Sequence, residues 1–145
     1  MKKIFLLFAT VLTSFSAFAF DFDGINLNDD AVKVTRAISS KNYVNDPGMD
    51  RLKGVCQGTE IYLSFNMNDV TTKGKIGQLF VDIPQKDANA FSTSATLLNV
   101  IYHQTQKTST GGIVYAVDKD GTTLLLEKTS EGIRLTYNTP FYKKQ

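Results

Sequence analysis

The segment from Glu60 to Met67 constrains the fold most, because apolar and polar residues alternate along it without interruption. Alternate side chains of a β-strand point to opposite faces of the sheet. The apolar set is Ile61, Leu63, Phe65 and Met67, and the other set contains Tyr62, Ser64 and Asn66. The pattern predicts an antiparallel sheet with one covered face and one solvated face.

Five further segments are predicted to be strands on the same grounds. They are Leu52 to Cys56, Lys75 to Ile83, Ile113 to Val117, Thr122 to Glu127, and Ile133 to Tyr137. Asp120-Gly121 predicts a tight turn between two of them, and Ser130 to Gly132 predicts the next turn. Short connections of this kind favour antiparallel neighbours.

Two segments show helical spacing of apolar residues. In the first, Ala31, Val34 and Ile38 share one face, and Asn28 is the predicted N-cap. The second is predicted to begin after Asp87 and to run to about Gln106. Its apolar stripe would contain Phe91, Ala95, Leu98, Ile101 and Tyr102.

These elements predict an α+β fold in which two helices pack on an antiparallel sheet. The predicted order is one helix, two or three strands, a second helix and three strands. The repeated grouping favours a tandem αβββ arrangement, with halves at 24–84 and 87–142 inside a single domain of residues 20–145. The two halves share no residue-level identity.

The first nineteen residues have the three regions of a secretory signal peptide. A basic start at Lys2-Lys3 precedes the apolar run 4–13, and Ala17 and Ala19 predict cleavage before Phe20. The alternative is an uncleaved membrane anchor, which Ser14 and Ser16 disfavour because they interrupt an already short apolar stretch. No Cys follows the run, so a lipoprotein attachment site is absent. We expect a periplasmic or secreted protein.

The charge balance disfavours nucleic acid as a partner. Removal of residues 1–19 takes away two of the 16 Lys and Arg residues and leaves 14, which equals the 14 Asp and Glu residues. Nucleic-acid binders usually concentrate basic side chains on one surface. Here the basic residues are scattered, and Lys143-Lys144 is their only cluster.

Few residues could carry chemistry. With one Cys and one His in the chain, Cys56 and His103 form the only Cys–His combination, and an intrachain disulfide or a multi-histidine metal centre is excluded. A small envelope hydrolase or thiol-dependent enzyme using Cys56 and His103 is therefore one alternative. Cys56 lies in a predicted strand, where a cysteine is more often a small buried residue. A non-catalytic protein without a cofactor is favoured.

Two D-x-D-G segments, 21–24 and 118–121, bear a partial likeness to calcium loops. An EF-hand loop needs a further ligand position between the second Asp and the Gly. Neither segment has one, so a flexible N-terminus and a hairpin turn are the favoured interpretations. No metal site is predicted.

Three candidate binding surfaces remain. The aromatic chain ends are one, with Phe20 and Phe22 at the start, and Phe141 and Tyr142 at the close. The outward strand face is the second, where Tyr62, Ser64 and Asn66 would stand beside Gln78, Phe80 and Asp82. The third is the loop from Tyr43 to Asp50. The residues selected for binding are Tyr62, Ser64, Asn66, Phe80, Tyr43, Phe141 and Tyr142.

The opening residues 24–32, with Gly, apolar residues, a polar cap and then a helix, resemble the start of small periplasmic α+β modules. These include the lipoproteins of outer-membrane assembly and the β-lactamase-inhibitor-like domains. The resemblance covers about forty residues, lacks the lipidation Cys, and implies architecture without any transfer of function.

Taken together, these features predict an exported, non-catalytic module that binds another protein in the periplasm or envelope. It would act as an inhibitor, an immunity or exclusion factor, or an envelope-assembly accessory. Carriage of a small ligand between helix and sheet is a further alternative.

Overall fold

The computed structural model describes residues 21–56, 58–66 and 74–142, so the predicted signal peptide lies outside the described residues. The described chain begins with a hairpin, β1 (Asp21–Phe22) and β2 (Ile25–Asn26), and helix α1 (Ala31–Ser40). Four strands follow: β3 (Val44–Asn45), β4 (Leu52–Cys56), β5 (Thr59–Asn66) and β6 (Gln78–Pro84). Helix α2 (Ala90–Ile101) then precedes β7 (His103–Lys107), β8 (Ile113–Ala116), β9 (Thr123–Lys128) and β10 (Gly132–Asn138).

The last eight strands form one antiparallel sheet in the order β3-β4-β5-β6-β10-β9-β8-β7. Each helix is thus followed by a four-stranded meander, and the two meanders are joined through their final strands. The register at this join runs from Gly132 opposite Pro84 to Asn138 opposite Gln78. The polypeptide therefore builds the sheet from two groups of strands that meet at its centre.

The core lies on one side of this sheet. Strand residues of the apolar set are fully buried there, including Ile61, Leu63, Leu79, Val81, Leu124, Leu126 and Leu135. Val34 and Ile38 of α1 and Leu98 of α2 belong to the same buried cluster. Because one face of each strand is buried, the period of two fixes which side chains point away from the helices.

The prediction of an α+β fold with two helices packed on a sheet is wrong, because the described chain is mostly antiparallel sheet with only two short helices. The predicted tandem αβββ order fails with it, since four strands follow each helix. Strand β3 was not predicted because a strand of two residues is too short to show an alternation of apolar and polar residues. The strand formed by His103–Lys107 was missed because none of its residues is apolar.

Helix α2 is shorter than predicted. It ends at Ile101, and Tyr102 has the extended backbone angles φ −124° and ψ 161°. The following residues pair with β8, with Gln104 opposite Tyr115 and Gln106 opposite Val114. Residues 103–106 of the predicted helix therefore belong to β7, the outer strand of the sheet.

Helix α1 begins without the predicted Asn28 cap. The N-cap position is Asp30, which makes no side-chain capping bond, and the backbone N–H of Ala31 donates to the carbonyl of Gly74 at 2.9 Å. Asp30 instead pairs with Lys75 at 2.9 Å, which lowers the pKa of the Asp30 carboxyl. Asn28 donates to the Asp120 carboxylate at 2.5 Å and so ties this end of α1 to the β8–β9 turn. Of the two described helices, neither has the length and apolar character needed to cross a membrane.

Candidate binding surface on the open face of the sheet

The side of the sheet opposite the helices is referred to below as the open face. Cross-strand register arranges its side chains in three rows that run perpendicular to the strands. The charged row contains Lys53, Tyr62, Asp82, Arg134 and Glu127. The middle row contains Ser64, Phe80, Thr136, Leu125 and Val114. The amide row contains Asn66, Gln78, Asn138, Thr123 and Ala116.

Arg134 lies between Asp82 and Glu127 in the charged row. Its guanidinium donates to both carboxylate oxygens of Asp82, at 2.7 and 2.9 Å, and lies 5.3 Å from the centre of the Phe80 ring. The hydrogen bonds to Asp82 raise the pKa of Arg134. A bidentate pair has a defined geometry, so the charged row holds the aromatic ring of the middle row from one side.

Tyr62 is held in a similar way. The Arg51 guanidinium stacks 3.8 Å above the Tyr62 ring and is itself bonded to Asp46 at 2.7 Å. The Tyr62 hydroxyl donates to Glu60, and this bond raises the pKa of the phenol. Tyr62 therefore stays neutral, with its ring and its hydroxyl both positioned by neighbours.

A shallow depression of about 200 Å³ lies beside these two arginines. Tyr62 and Asp82 line it from the sheet, and Ser130 and Glu131 line it from the β9–β10 turn. Charged and hydroxyl groups dominate the lining. The depression can receive one side chain of a partner.

The amide row is a continuous hydrogen-bonded ladder across four strands. The Asn66 amide donates to Gln78 at 3.0 Å, and the Gln78 amide donates to Asn138 at 2.7 Å. The Asn138 amide in turn donates to the Thr123 hydroxyl at 3.4 Å. Each link spans adjacent strands, so the row fixes side-chain positions while leaving further donors and acceptors for a partner.

The middle row is uncharged. Phe80, Leu125 and Val114 are half-buried, and Thr136 at its centre is 3% exposed. Aromatic and arginine side chains around an uncharged centre are typical of the contact residues that dominate protein interfaces. The arrangement suits recognition of another protein surface.

Of the residues selected from sequence, Tyr62, Ser64, Asn66 and Phe80 lie together on the open face, since Ser64 is opposite Phe80 and Asn66 is opposite Gln78. Tyr43 lies elsewhere: it is 4% exposed and its ring packs against Gly54 inside the core. Tyr43 therefore cannot contact a partner from the folded surface.

The aromatic residues of the chain ends pack onto the protein. Phe22 is fully buried and meets Tyr137 edge-to-face at 6.0 Å. Phe141 and Tyr142 are half-buried, and the Lys75 ammonium lies 5.5 Å from the Phe141 ring. Phe20 lies outside the described residues. The structure does not bring Phe141 and Tyr142 into the rows of the open face.

Cys56 and His103 do not form a pair. Cys56 in β4 is buried on the core side of the sheet, whereas His103 in β7 is exposed and lies opposite Ala116 of the open face. Burial raises the pKa of the Cys56 thiol to about 11, with a smaller effect from the Asp23 carboxylate. The thiol is thus protonated at neutral pH, and the exposed imidazole lies on the other face of the sheet.

The second D-x-D-G segment forms the β8–β9 turn. One Asp120 oxygen accepts from the backbone N–H of Thr122 at 2.8 Å and the other from Asn28. Gly121 has φ +99°, a conformation that glycine adopts without strain. Within the described ranges, no three His, Cys, Asp or Glu residues group closely enough to hold a metal ion.

The two arginines that hold the aromatic rings, Arg51 and Arg134, were not predicted from the sequence. The alternation from Ile133 to Tyr137 already places Arg134 on the outward side, which is a usable signal. Arg51 carries no such signal because it precedes the predicted strand. The pairing of Arg134 with Asp82 depends on the β6–β10 register, which joins segments far apart in sequence.

Comparison with protein-family models, curated proteins and solved structures finds no match to this chain. The resemblance of residues 24–32 to small periplasmic modules therefore gains no support.

Proposed function

We propose that the protein is an exported, non-catalytic module that binds another protein of the periplasm or envelope through the open face. The observation that carries the proposal is the alignment of the three rows. An uncharged row containing Phe80 and Leu125 lies between a charged row and an amide row, both of which are fixed by their own hydrogen bonds.

The arginine–carboxylate pairs beside the two aromatic rings support rigid recognition. Arg51 and Arg134 are each bonded to a carboxylate and each lie against an aromatic ring. Side chains that are already ordered lose less conformational entropy on binding. Tyr62 and Phe80 are the expected anchors, and the depression beside Arg134 would accept a partner side chain.

The export part of the proposal rests on the sequence of residues 1–19. An inhibitor, an immunity or exclusion factor, and an envelope-assembly accessory all act by holding another protein, and a rigid face without a catalytic pair serves each of them. Nucleic acid is not the proposed partner, because the open face carries both signs of charge, from Lys53 and Arg134 to Asp82 and Glu127.

The test is identification of a partner followed by binding with purified components. The partner would be captured by crosslinking in intact cells and its affinity measured for the unmodified protein, Phe80→Glu and Leu125→Glu. We expect each substitution to weaken binding at least about tenfold, since a buried charge replaces an interface anchor. Mass spectrometry of the cell-derived protein should give Phe20 as its first residue.

The matched control is Val32→Glu, because Val32 is 61% exposed and lies on α1 on the other side of the sheet. Its affinity should equal that of the unmodified protein. Equal binding by the Phe80 and Leu125 variants, with retained folding, would contradict use of the open face. An intact leader on cytosolic protein would contradict export.

A further inference from the structure

The outer edge of β4 is only partly covered by its neighbour. Strand β3 pairs with β4 at two positions, Val44 opposite Lys53 and Asn45 opposite Leu52. Beyond Val44 the chain turns away, since Asn42 has φ +67° and Tyr43 packs into the core. The second half of β4, from Gly54 to Cys56, therefore has no described strand on its outer side.

The backbone of Val55 faces this uncovered edge. Cys56 and Thr59 flank a two-residue connection, and the residues that flank such a hairpin turn form a hydrogen-bonded pair. Hydrogen-bonded pairs alternate along antiparallel strands, so the N–H and C=O of Val55 point away from β5. Among the described residues, no backbone group outside the strand ladders bonds to Val55. One donor and one acceptor are thus available at the edge.

A depression of about 370 Å³ adjoins this edge. Val44 and Val55 line it with side chains that are 54% and 68% exposed. Lys41 and Lys53 line it as well, together with Asn42. The space beside the free backbone therefore offers apolar contact and two ammonium groups.

The lining of this depression carries two lysines and one carboxylate. Lys53 has no ion pair among the described residues, and Lys41 makes only a 3.7 Å contact with Asp23. Glu60, the acidic residue of the lining, accepts the Tyr62 hydroxyl bond on the open face. A ligand with carboxylates would complement the two lysines.

We infer that the outer edge of β4 binds an extended, acidic peptide segment by strand addition. Main-chain hydrogen bonds to Val55 would supply the pairing, as in other cases where a peptide adds to a sheet edge. Apolar side chains of the segment would contact Val44 and Val55, and its acidic side chains would reach Lys41 and Lys53. Lys53 belongs both to this surface and to the charged row, but the inference does not depend on the function proposed for the three rows.

The probe is an end-capped heptapeptide in which valine alternates with glutamate, titrated into the purified protein and followed by amide resonances and hydrogen exchange. We expect shifts centred on Val55 and slower exchange of its amide proton. A peptide with lysine in place of glutamate should bind at least about tenfold more weakly, and raising salt from about 50 to about 500 mM should weaken the glutamate peptide. A third peptide, N-methylated at the central valine, lacks the strand-pairing donor and should not bind.

Two variants localise the site. Val55→Pro removes the outward N–H without removing a bond to β5, and the double change Lys41→Glu with Lys53→Glu reverses the local charge. Both should lose glutamate-peptide binding, while Lys107→Glu on the opposite edge strand should keep it. The inference is overturned if the glutamate peptide causes no change at Val55, if the N-methylated or lysine peptide binds equally well, or if folded variants of both kinds retain binding.

Discussion

At Gly54 the lack of a side chain is a packing requirement. A Cβ atom at this position would clash with Cδ1 of the Tyr43 ring. Since Tyr43 is buried, its ring cannot move into solvent without exposing the core. We expect Gly54→Ala to lower the free energy of unfolding by about 1–3 kcal/mol, the usual cost of overpacking, as measured by urea denaturation.

The control for this prediction is the same change in a Tyr43→Ala background. With the ring absent, the added methyl group meets no obstacle, so the cost of Gly54→Ala should fall well below its value in the unmodified protein. An unchanged cost would mean that the Tyr43 contact is not its origin.

Cys56 makes the unfolding free energy of the protein decrease at alkaline pH. Its pKa is about 11 in the fold and 9 ordinarily. Because the folded pKa is raised, this stabilising effect is complete below pH 9 and is lost as pH rises from 9 toward about 11. Unfolding free energies measured across this range should fall more steeply for the unmodified protein than for Cys56→Ala.

Thiol labelling tests whether Cys56 is buried and protonated in the folded protein. At neutral pH, Cys56 should react with a maleimide only after denaturant is added, because the thiolate is the reacting form and the residue is 5% exposed. Rapid labelling of the folded protein would show that the thiol is accessible and would contradict the burial.

The central strands are secondary-structure elements held together by more than backbone hydrogen bonds. The side chains of the amide row also form hydrogen bonds from each of these strands to the next. Gln78 both donates to Asn138 and accepts from Asn66. Gln78→Met keeps the length of the side chain and removes both bonds, so we expect a loss of about 1–2 kcal/mol in unfolding free energy. Calorimetry or urea denaturation would measure it.

Gln106→Met is the matched control, because Gln106 is an exposed residue of the edge strand β7. Its substitution should change stability little. A similar loss in both variants would mean that the effect comes from the methionine and not from the ladder.

The sequence predicted those strands whose apolar residues alternate, such as β5 and β10, because one buried face imposes that period. It failed at β7, where no apolar residue marks a face, and at β3, where two residues are too few. For the candidate surface, alternation alone placed Tyr62 and Phe80 outward. Their contacts with Arg51 and Arg134 depend on tertiary structure, which a local pattern does not contain.

At the scale of the whole molecule, the strand order is the same when read inward from either edge, with the first strand after each helix outermost and the fourth at the centre. The contacts between the two groups include the seven-residue register of β6 and β10 and the Asn28–Asp120 bond. Each group therefore completes the edge of the other.

Separating the two groups should expose that edge. A fragment of residues 87–145 would keep β10 paired with β9 but leave its β6-facing edge unpaired, together with the side chains Leu135 and Tyr137 that are buried in the intact protein. We expect it to self-associate, as unpaired edge strands do, and to regain a cooperative unfolding transition when mixed with residues 20–86. Sedimentation and circular dichroism would measure the two effects. A folded, monomeric fragment would contradict the prediction.

The central position of β6 also bears on the order of synthesis. A chain that emerges from its N-terminus presents β6 long before β10, because residues 85–131 separate them. Until β10 has been synthesised, the edge of β6 that will lie at the centre of the sheet is unpaired. Pairing between segments so far apart in sequence slows folding. The nascent polypeptide must therefore be kept from contact with other chains until β10 pairs with β6.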